Sequence, residues 1–450
     1  MKLLLWGTGQ KYRTYRKFIL NEDIIALVDN DSEKWGKILD GNIVISPKDI
    51  SRYEYDYIVI LNNSYEEIRK QIMTFNINLD KVIDEKHNSQ IKYIVPQIKY
   101  ETFKFKPEGK KIAVVSHTLN RTGAPIVLKN MVEILKKHHY DVEVFSLPGD
   151  GLVNEFLNMD VSVTFLPGMY FDEDFCKHLF HKYDLVIVNT LLLHKLVGML
   201  DQINKKVLWW LHEEEDYMKE MLEENIIFPT NNNVEIYAVS SRVSNAVHKY
   251  FPNVKIYRLP YGIKDNMVIT KYNKEDKLIV AIIGTVCERK GQDVLLKAVD
   301  SYLQEKIEVW VIGEISEKQR LKFKKNKAFK VLGELPHEKI LELYNLLDVV
   351  VCPSLNDPLP VVIAEAMQHK KLCIVSDMTG MAEFIQPYKN GIVCKAGDSR
   401  NLRDALIWIL DNRYKIESIG EAAFQIYKDN FSMEAFENRS IKIVDKLLRT

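Results

Sequence analysis

"DVVVCPSLNDPLPVVIAEAM", residues 348–367, passes from a β-branched apolar run through a turn holding two prolines into an apolar helical pattern. A strand that turns directly into a helix is the repeating unit of a parallel α/β layer. Proline fixes φ near the helical value and has no N–H to lose, so Pro360 suits the first helical position, with Val361 following. At about 1.5 Å per residue, Glu365 then lies roughly 7 to 8 Å along the axis, while Asp357 stays in the turn ahead of the helix. The first-turn amides, with Val361 and Val362 as donors, make a positive end suited to an anion such as phosphate. Two carboxylates flanking that end suit a ligand with phosphate in its middle and hydroxyl groups on both sides. An ordinary buried helix with one capping acid is the other reading of the same residues.

Outward from this stretch the alternation of strand and helix recurs in three blocks. The first runs from "KLLLWGTG" through "IIALVDND" and "YDYIVILNN" to "KVIDEK". Residues 97–111, "QIKYETFKFKPEGKK", carry charge, Pro and Gly with little periodicity and read as a linker. The second block opens with "KIAVVSHT" and holds "YDVEVFSL", "YDLVIVNT", "KKVLWWLH" and "VEIYAVSS". The third opens with "LIVAIIGT" and continues through "IEVWVIGE", "FKVLGEL", "DVVVCPS" and "KLCIVSD". A last helical pattern begins near Phe431, with Ser432 as its N-cap. The expected domains are 1–100, 110–265 and 275–430, followed by a C-terminal helix, 431–450, packing back on the middle domain.

Composition excludes several classes. Across 450 residues Lys plus Arg equals Asp plus Glu at 62 each, so no global field points to nucleic acid or an anionic membrane as main partner. Five cysteines, Cys176, Cys287, Cys352, Cys373 and Cys394, show no metal-ligand spacing, and their odd number suits core thiols in a reducing compartment. The start "MKLLLWGTGQ" has too short an apolar run for a signal peptide, and no stretch reaches the roughly 20 apolar residues of a membrane span. A cytoplasmic protein is expected, with at most peripheral membrane contact.

Chemistry collects at strand ends, where open α/β sheets bind ligands. "GTVCERKGQDVLLKAV", 284–299, places Gly284 at a strand end, Arg289 and Lys290 in an exposed turn, Gly291 at an unusual backbone angle, and a helix from about Val294. Cations beside a glycine turn suit a diphosphate, although a solvated basic turn has the same composition. "HTLNRTGAPIVLKNMVEIL", 117–135, likewise turns on Gly123 into a helix.

Taken together, residues 110–450 resemble glycosyltransferase family 4, retaining nucleotide-sugar transferases of the GT-B fold. The family's Glu-x7-Glu motif corresponds to Asp357 and Glu365, with Asp in the first place. The resemblance implies an α/β protein with two Rossmann-like domains facing across a cleft, preceded by a smaller Rossmann-like domain. It implies that Asp357 contacts donor-sugar hydroxyls, the Val361 and Val362 amides the phosphate, Glu365 the ribose, and Lys290 the diphosphate. His212, in "KVLWWLHEEEDYM", stands where the family often has a histidine facing the donor sugar; a structural histidine is the alternative. Thr285 replaces the family's usual arginine, leaving Arg289 to supply its charge. Thr122-Gly123 and Tyr261-Gly262 replace a Gly-Gly and an Asn-Gly pair. No metal and no cofactor are implied, the nucleotide sugar being a substrate and a glycan or lipid-linked glycan the acceptor.

Glu213 to Asp216 cannot all face one ion from a helix, and read as an exposed acidic helix start. The basic run 318–330 reads as a solvated helix, with contact to anionic lipid as the rival reading. In the first block Gly7 and Gly9 follow a strand and Asp29 closes the next, as in dinucleotide fingerprints, but Tyr12 stands where the third glycine belongs. That block resembles the small domain at the start of bacterial sugar acyltransferases; nucleotide binding and subunit association are both open to it. The expected activity is sugar transfer in bacterial surface-polysaccharide synthesis. A nicotinamide-dependent oxidoreductase, a nucleotide-sugar epimerase and a non-catalytic nucleotide-sugar-binding scaffold are its rivals.

Overall fold

The computed structural model describes residues 2–16, 23–62, 64–75, 77–83, 98–100, 109–147, 151–165, 173–223, 226, 228, 229, 231–267 and 277–449. The chain divides into two compact units, Met1–Pro125 with Lys136–Val207 and Ile126–Leu135 with Leu208–Thr450.

The first unit opens with six strands, β1 (Leu3–Trp6), β2 (Ile24–Val28), β3 (Ile38–Leu39), β4 (Asn42–Ile45), β5 (Tyr57–Ile60) and β6 (Val82–Ile83), in the order β3-β4-β2-β1-β5-β6. All pairings are parallel except the edge hairpin β3-β4. Every residue of β1 is buried, as a central parallel strand covered on both faces requires. The unit also holds β7 (Ile98–Tyr100), β8 (Lys111–Ser116), β9 (Asp141–Ser146), β10 (Ser162–Phe165) and β11 (Leu185–Asn189), in the order β11-β8-β9-β10-β7. Strand β7 corrects the linker expected over 97–111: it pairs antiparallel with β10, Ile98 opposite Phe165 and Tyr100 opposite Val163. Three residues alternating apolar and charged are too few to show a period. Residues 101–108 of that stretch lie outside the described residues.

In the second unit β12 (Val207–Leu211), β13 (Val234–Ala238) and β14 (Ile256–Arg258) run in the order β14-β13-β12, and the division between units falls at the start of β12. A six-stranded sheet follows, β15 (Leu278–Ile283), β16 (Ile307–Ile312), β17 (Phe329–Gly333), β18 (Val349–Cys352), β19 (Leu372–Ser376) and β20 (Ile392–Cys394). It is wholly parallel, in the order β17-β16-β15-β18-β19-β20. The chain moves outward from β15 through β16 to β17, then returns to place β18 on the other side of β15. The order therefore reverses between β15 and β18, and open α/β sheets bind ligands outside the carboxy ends of their strands at such a reversal.

Two helix starts and one helix end differ from expectation. Pro360 is the N-cap, with extended ψ of 117°, and the helix is Val361–Gln368; the missing N–H is tolerated one position before the first turn as well as in it. Gly291, at φ 71°, ends one turn of 3-10 helix and starts the helix Gln292–Ala298 at once, two residues before Val294. The basic run 318–330 is helical only to Phe323, within Glu317–Phe323, before β17 begins. The last helix, Met433–Arg449, receives the Ser432 cap, whose Oγ accepts from the Ala435 amide at 3.1 Å. Its Phe436 ring stacks on Trp210 at 5.6 Å, and Lys446 Nζ meets Glu235 Oε1 at 2.7 Å. Four cysteines are buried and Cys287 is partly exposed.

Candidate functional site

The turns after β15 and β18 press against each other. A Cβ at Gly291 would sit 2.2 Å from the Pro353 carbonyl oxygen, so only glycine permits the approach, and the Leu355 amide donates to the Arg289 carbonyl at 2.7 Å. Gly284, at φ 134°, turns the chain out of β15. The result is to aim two consecutive cations at one carboxylate. Lys290 Nζ donates to Asp357 Oδ2 at 2.7 Å, and Arg289 Nη1 lies 3.8 Å from the same oxygen. Arg289 Nη1 also donates to the Asn356 carbonyl and to Glu214 Oε1, both at 2.9 Å.

These groups are less exposed than the sequence suggested. Side-chain exposure is 6% for Asp357 and 23% for Lys290, so Lys290 is not the exposed turn lysine expected. Burial opposes its charge, but the Asp357 carboxylate outweighs that and holds the ammonium above the ordinary lysine range. Glu214 corrects the exposed acidic helix start: the helix is Glu215–Glu223, and Glu214 precedes it, buried. Burial pushes its carboxyl up, against the pull of Arg289 and with the help of Asp357. Arg289 is thus already engaged by an acid that sequence reasoning did not single out.

The turn carrying Asp357 is fixed from several elements. Arg242 Nε and Nη2 donate to Asn356 Oδ1 at 2.9 and 2.7 Å, Ser240 Oγ to the Pro358 carbonyl at 2.6 Å, and Tyr261 OH to the Leu359 carbonyl at 2.8 Å. The wholly buried Tyr261 is kept protonated, its pKa raised far above the usual phenol value by burial. Such a turn cannot drift, and Val361 and Val362 follow it, half-buried, in the first turn of the eight-residue helix, where amides have no carbonyl four residues back. One turn further on, Glu365 accepts from His337 Nε2 at Oε1 (2.7 Å) and from Tyr344 OH at Oε2 (3.0 Å). Neither partner was visible from the sequence, because both come from a different strand-to-strand connection, residues 337–346.

The structure therefore brings Lys290, Arg289, Asp357 and the helix Val361–Gln368, with Glu365, together. His212 follows β12 and packs on Trp210 at 4.5 Å between ring centroids, while Glu214, two residues on, makes the contact with Arg289. Gly123 begins the helix Gly123–Lys137 and belongs to the first unit. Gly7, Gly9 and Asp29 also lie there. Gly9 caps a helix of six residues, Gln10–Tyr15, and Asp29 accepts from the Thr8 amide (3.1 Å), the Thr8 hydroxyl, the Asp31 amide (2.9 Å) and Lys34 Nζ (3.2 Å). Among the described residues no three His, Cys, Asp or Glu side chains gather as a metal site, and no helix is long and apolar enough to cross a membrane.

Solved structures share this architecture. Anabaena HepE in complex with UDP and glucose aligns over 75% of this chain and 99% of its own at a TM-score of 0.63, with 15% identity. A glycosyltransferase of Rickettsia africae aligns over 76% and 100% at a TM-score of 0.63, with 17% identity. Residues 108–259 match the family described as glycosyl-transferase family 4, and residues 266–426 that of glycosyl transferases group 1.

The fold is GT-B.

An N-terminal sheet domain precedes the two Rossmann-like domains of the GT-B fold, and its residues 1–83 match the family described as C2185-like, N-terminal. An uncharacterized glycosyltransferase of Methanocaldococcus jannaschii is 22% identical over 220 residues, 46% of this chain and 58% of that protein. The lipopolysaccharide core biosynthesis mannosyltransferase LpcC of Rhizobium leguminosarum is 26% identical over 205 residues, 43% and 57%. The chain thus spans little more than half the length of these relatives. Both are glycosyltransferases, which does not favour the epimerase reading.

Proposed function

We propose that this GT-B chain moves a sugar from a nucleotide-sugar donor to a hydroxyl of a glycan or lipid-linked glycan, retaining anomeric configuration, in bacterial surface-polysaccharide synthesis at the inner face of the cell membrane. One observation carries the reading. Lys290 and Arg289 both meet Oδ2 of the buried Asp357, directly ahead of a helix N-terminus, while Oδ1 takes no partner among the described residues. That leaves a carboxylate oxygen for a sugar hydroxyl beside two cations and two first-turn amides for a diphosphate. HepE is known with UDP and glucose, which makes uridine diphosphate sugars the first donors to test.

In the proposed reaction the bond from the sugar's anomeric carbon to the diphosphate oxygen breaks, and its electron pair leaves with the nucleoside diphosphate. Lys290 and the Val361 and Val362 amides stabilise that growing charge, with Arg289 joining once donor competes with Glu214 for it. The acceptor oxygen bonds to the anomeric carbon on the face just vacated, and its proton passes to the departing phosphate oxygen. His212 would face the donor sugar. Positive side chains and amides do this work without a metal ion. The test is release of nucleoside diphosphate from a panel of nucleotide sugars, with and without EDTA, and the anomeric configuration of the product by NMR. Transfer should persist in EDTA with an α donor giving an α product. Loss in EDTA that a divalent ion restores, or an inverted product, would overturn the mechanism; binding without release would mark a non-catalytic scaffold.

A further inference from the structure

Glu365 is 8% exposed and both of its oxygens already accept a hydrogen bond from the protein. The two donors differ in kind. Tyr344 is wholly buried and far above the ordinary phenol range, so it is a permanent donor, its hydroxyl placed 3.0 Å from both Glu365 Oε2 and the Val362 carbonyl. His337 is 55% exposed at its side chain and begins the short helix His337–Leu343. A surface imidazole spends its donor in water unless geometry claims it; here it is held 2.7 Å from a carboxylate that has little solvent of its own. Each carboxylate oxygen has two acceptor positions, so one position on each remains once Tyr344 and His337 are satisfied. Together the two donors fix the plane of the Glu365 carboxylate and so the direction in which it can accept from a ligand.

We infer that His337 is a positioning residue that sets Glu365 to accept the donor's ribose hydroxyls, making this site select ribonucleotide over deoxyribonucleotide donors. The inference rests on the nucleotide-sugar reading above. The bond to Glu365 favours the charged imidazole and outweighs the opposing effect of burial, consistent with a charge-assisted contact. Glu338 also supports the imidazolium, and Lys129 opposes it. With His337 removed, Tyr344 alone would hold the carboxylate, which is then free to rotate about that contact.

The experiment is calorimetric titration of UDP, GDP, ADP and CDP, followed by the 2′-deoxy and 3′-deoxy forms of whichever binds most tightly. A hydroxyl donating to a carboxylate supports roughly ten-fold or more in affinity. The wild type should lose about that factor with at least one deoxy form. His337→Phe should bind the parent nucleotide more weakly but discriminate by no more than about two- to three-fold, and His337→Gln, which keeps an N–H donor, should recover most of the discrimination. A merely structural role would weaken parent and deoxy forms equally, and that result overturns the inference, as does full discrimination in His337→Phe. Failure of the wild type to bind any of the four overturns instead the nucleotide-sugar reading on which it stands.

Discussion

Two turns of this chain share a plan and end with different polar groups left over. After β1 comes Gly7 at φ 110°, with a short helix next and Asp29 at the end of the neighbouring strand; after β15 comes Gly284 at φ 134°, with Lys290 next and Asp357 beyond the neighbouring strand. At the first, a Cβ on Gly7 would lie 2.6 Å from the Leu61 carbonyl, so the glycine serves the approach of the protein's own backbone. Both oxygens of Asp29 are taken by protein donors, and Tyr12, fully buried where a third glycine would be, donates to Asp40 Oδ2 at 2.8 Å. At the second, two cations crowd one oxygen of Asp357 and leave the other. A strand, a glycine and an acid are therefore no site in themselves. What matters is which donors and acceptors the fold has already used.

The largest expected effect is that of Lys290→Ala. Removing one preformed donor to a developing anion typically costs about two to three orders of magnitude in kcat. Because Lys290 pairs with a 6%-exposed carboxylate, the same change should also cost about 1 to 3 kcal/mol of stability, measurable by urea unfolding. Adding Asp357→Asn should recover part of that stability and none of the transfer. Full activity in Lys290→Ala would erase the difference between the two turns.

Next comes a paired titration on the two carboxylates. Asp357→Asn should weaken the sugar-bearing donor about ten-fold or more, by removing a charged acceptor, yet leave the bare nucleoside diphosphate bound as tightly as before or tighter. The second part follows from the ion pair: Lys290 no longer has a carboxylate competing with phosphate. Glu365→Gln should weaken both ligands, since the ribose is common to them. If Asp357→Asn weakens the bare diphosphate as much as Glu365→Gln does, Asp357 does not serve the sugar.

Local patterns in the chain were enough to read the strand-to-helix rhythm, the helix after Pro360, and the separation of Asp357 from Glu365, because each depends on neighbouring residues. What could not be read depends on the return of the chain. Glu214 looked like part of an exposed acidic run, and only the placement of β12's end beside the β15 turn gives it Arg289. His337 and Tyr344 carry no signal, since their partner lies 28 and 21 residues away. Tyr261 appeared as a departure from a motif, and its hydroxyl turns out to fix the Asp357 turn through a carbonyl 98 residues on. Strand β7 was missed for the opposite reason: three residues are a period too short to count.

The smallest effect on ligand binding is expected at Asp29, and it tests the comparison from the other side. If its carboxylate serves only the N-terminal turn, Asp29→Asn should leave nucleoside diphosphate affinity and transfer unchanged while destabilising that domain by about 1 to 3 kcal/mol at neutral pH, because an amide nitrogen would face the donors of Thr8 or Lys34. Burial works to raise this carboxyl, but the Thr8 hydroxyl, the Asp31 amide and Lys34 outweigh it and hold the folded pKa below the ordinary value. A depressed folded pKa contributes stability that is complete above the unfolded pKa, about 3.9, and is lost as pH falls through the folded one. The stability gap between wild type and Asp29→Asn should therefore be full at pH 7, and shrink below about pH 4 as the carboxylate protonates. Unfolding followed by Trp6 or Trp35 fluorescence across that range measures it, both tryptophans lying in this domain and Trp35 Nε1 donating to the Asp29 carbonyl at 2.7 Å. A gap that stays constant through pH 3 would mean that Asp29 does not act there as an anion, and a loss of nucleotide affinity in Asp29→Asn would make the N-terminal turn a site after all.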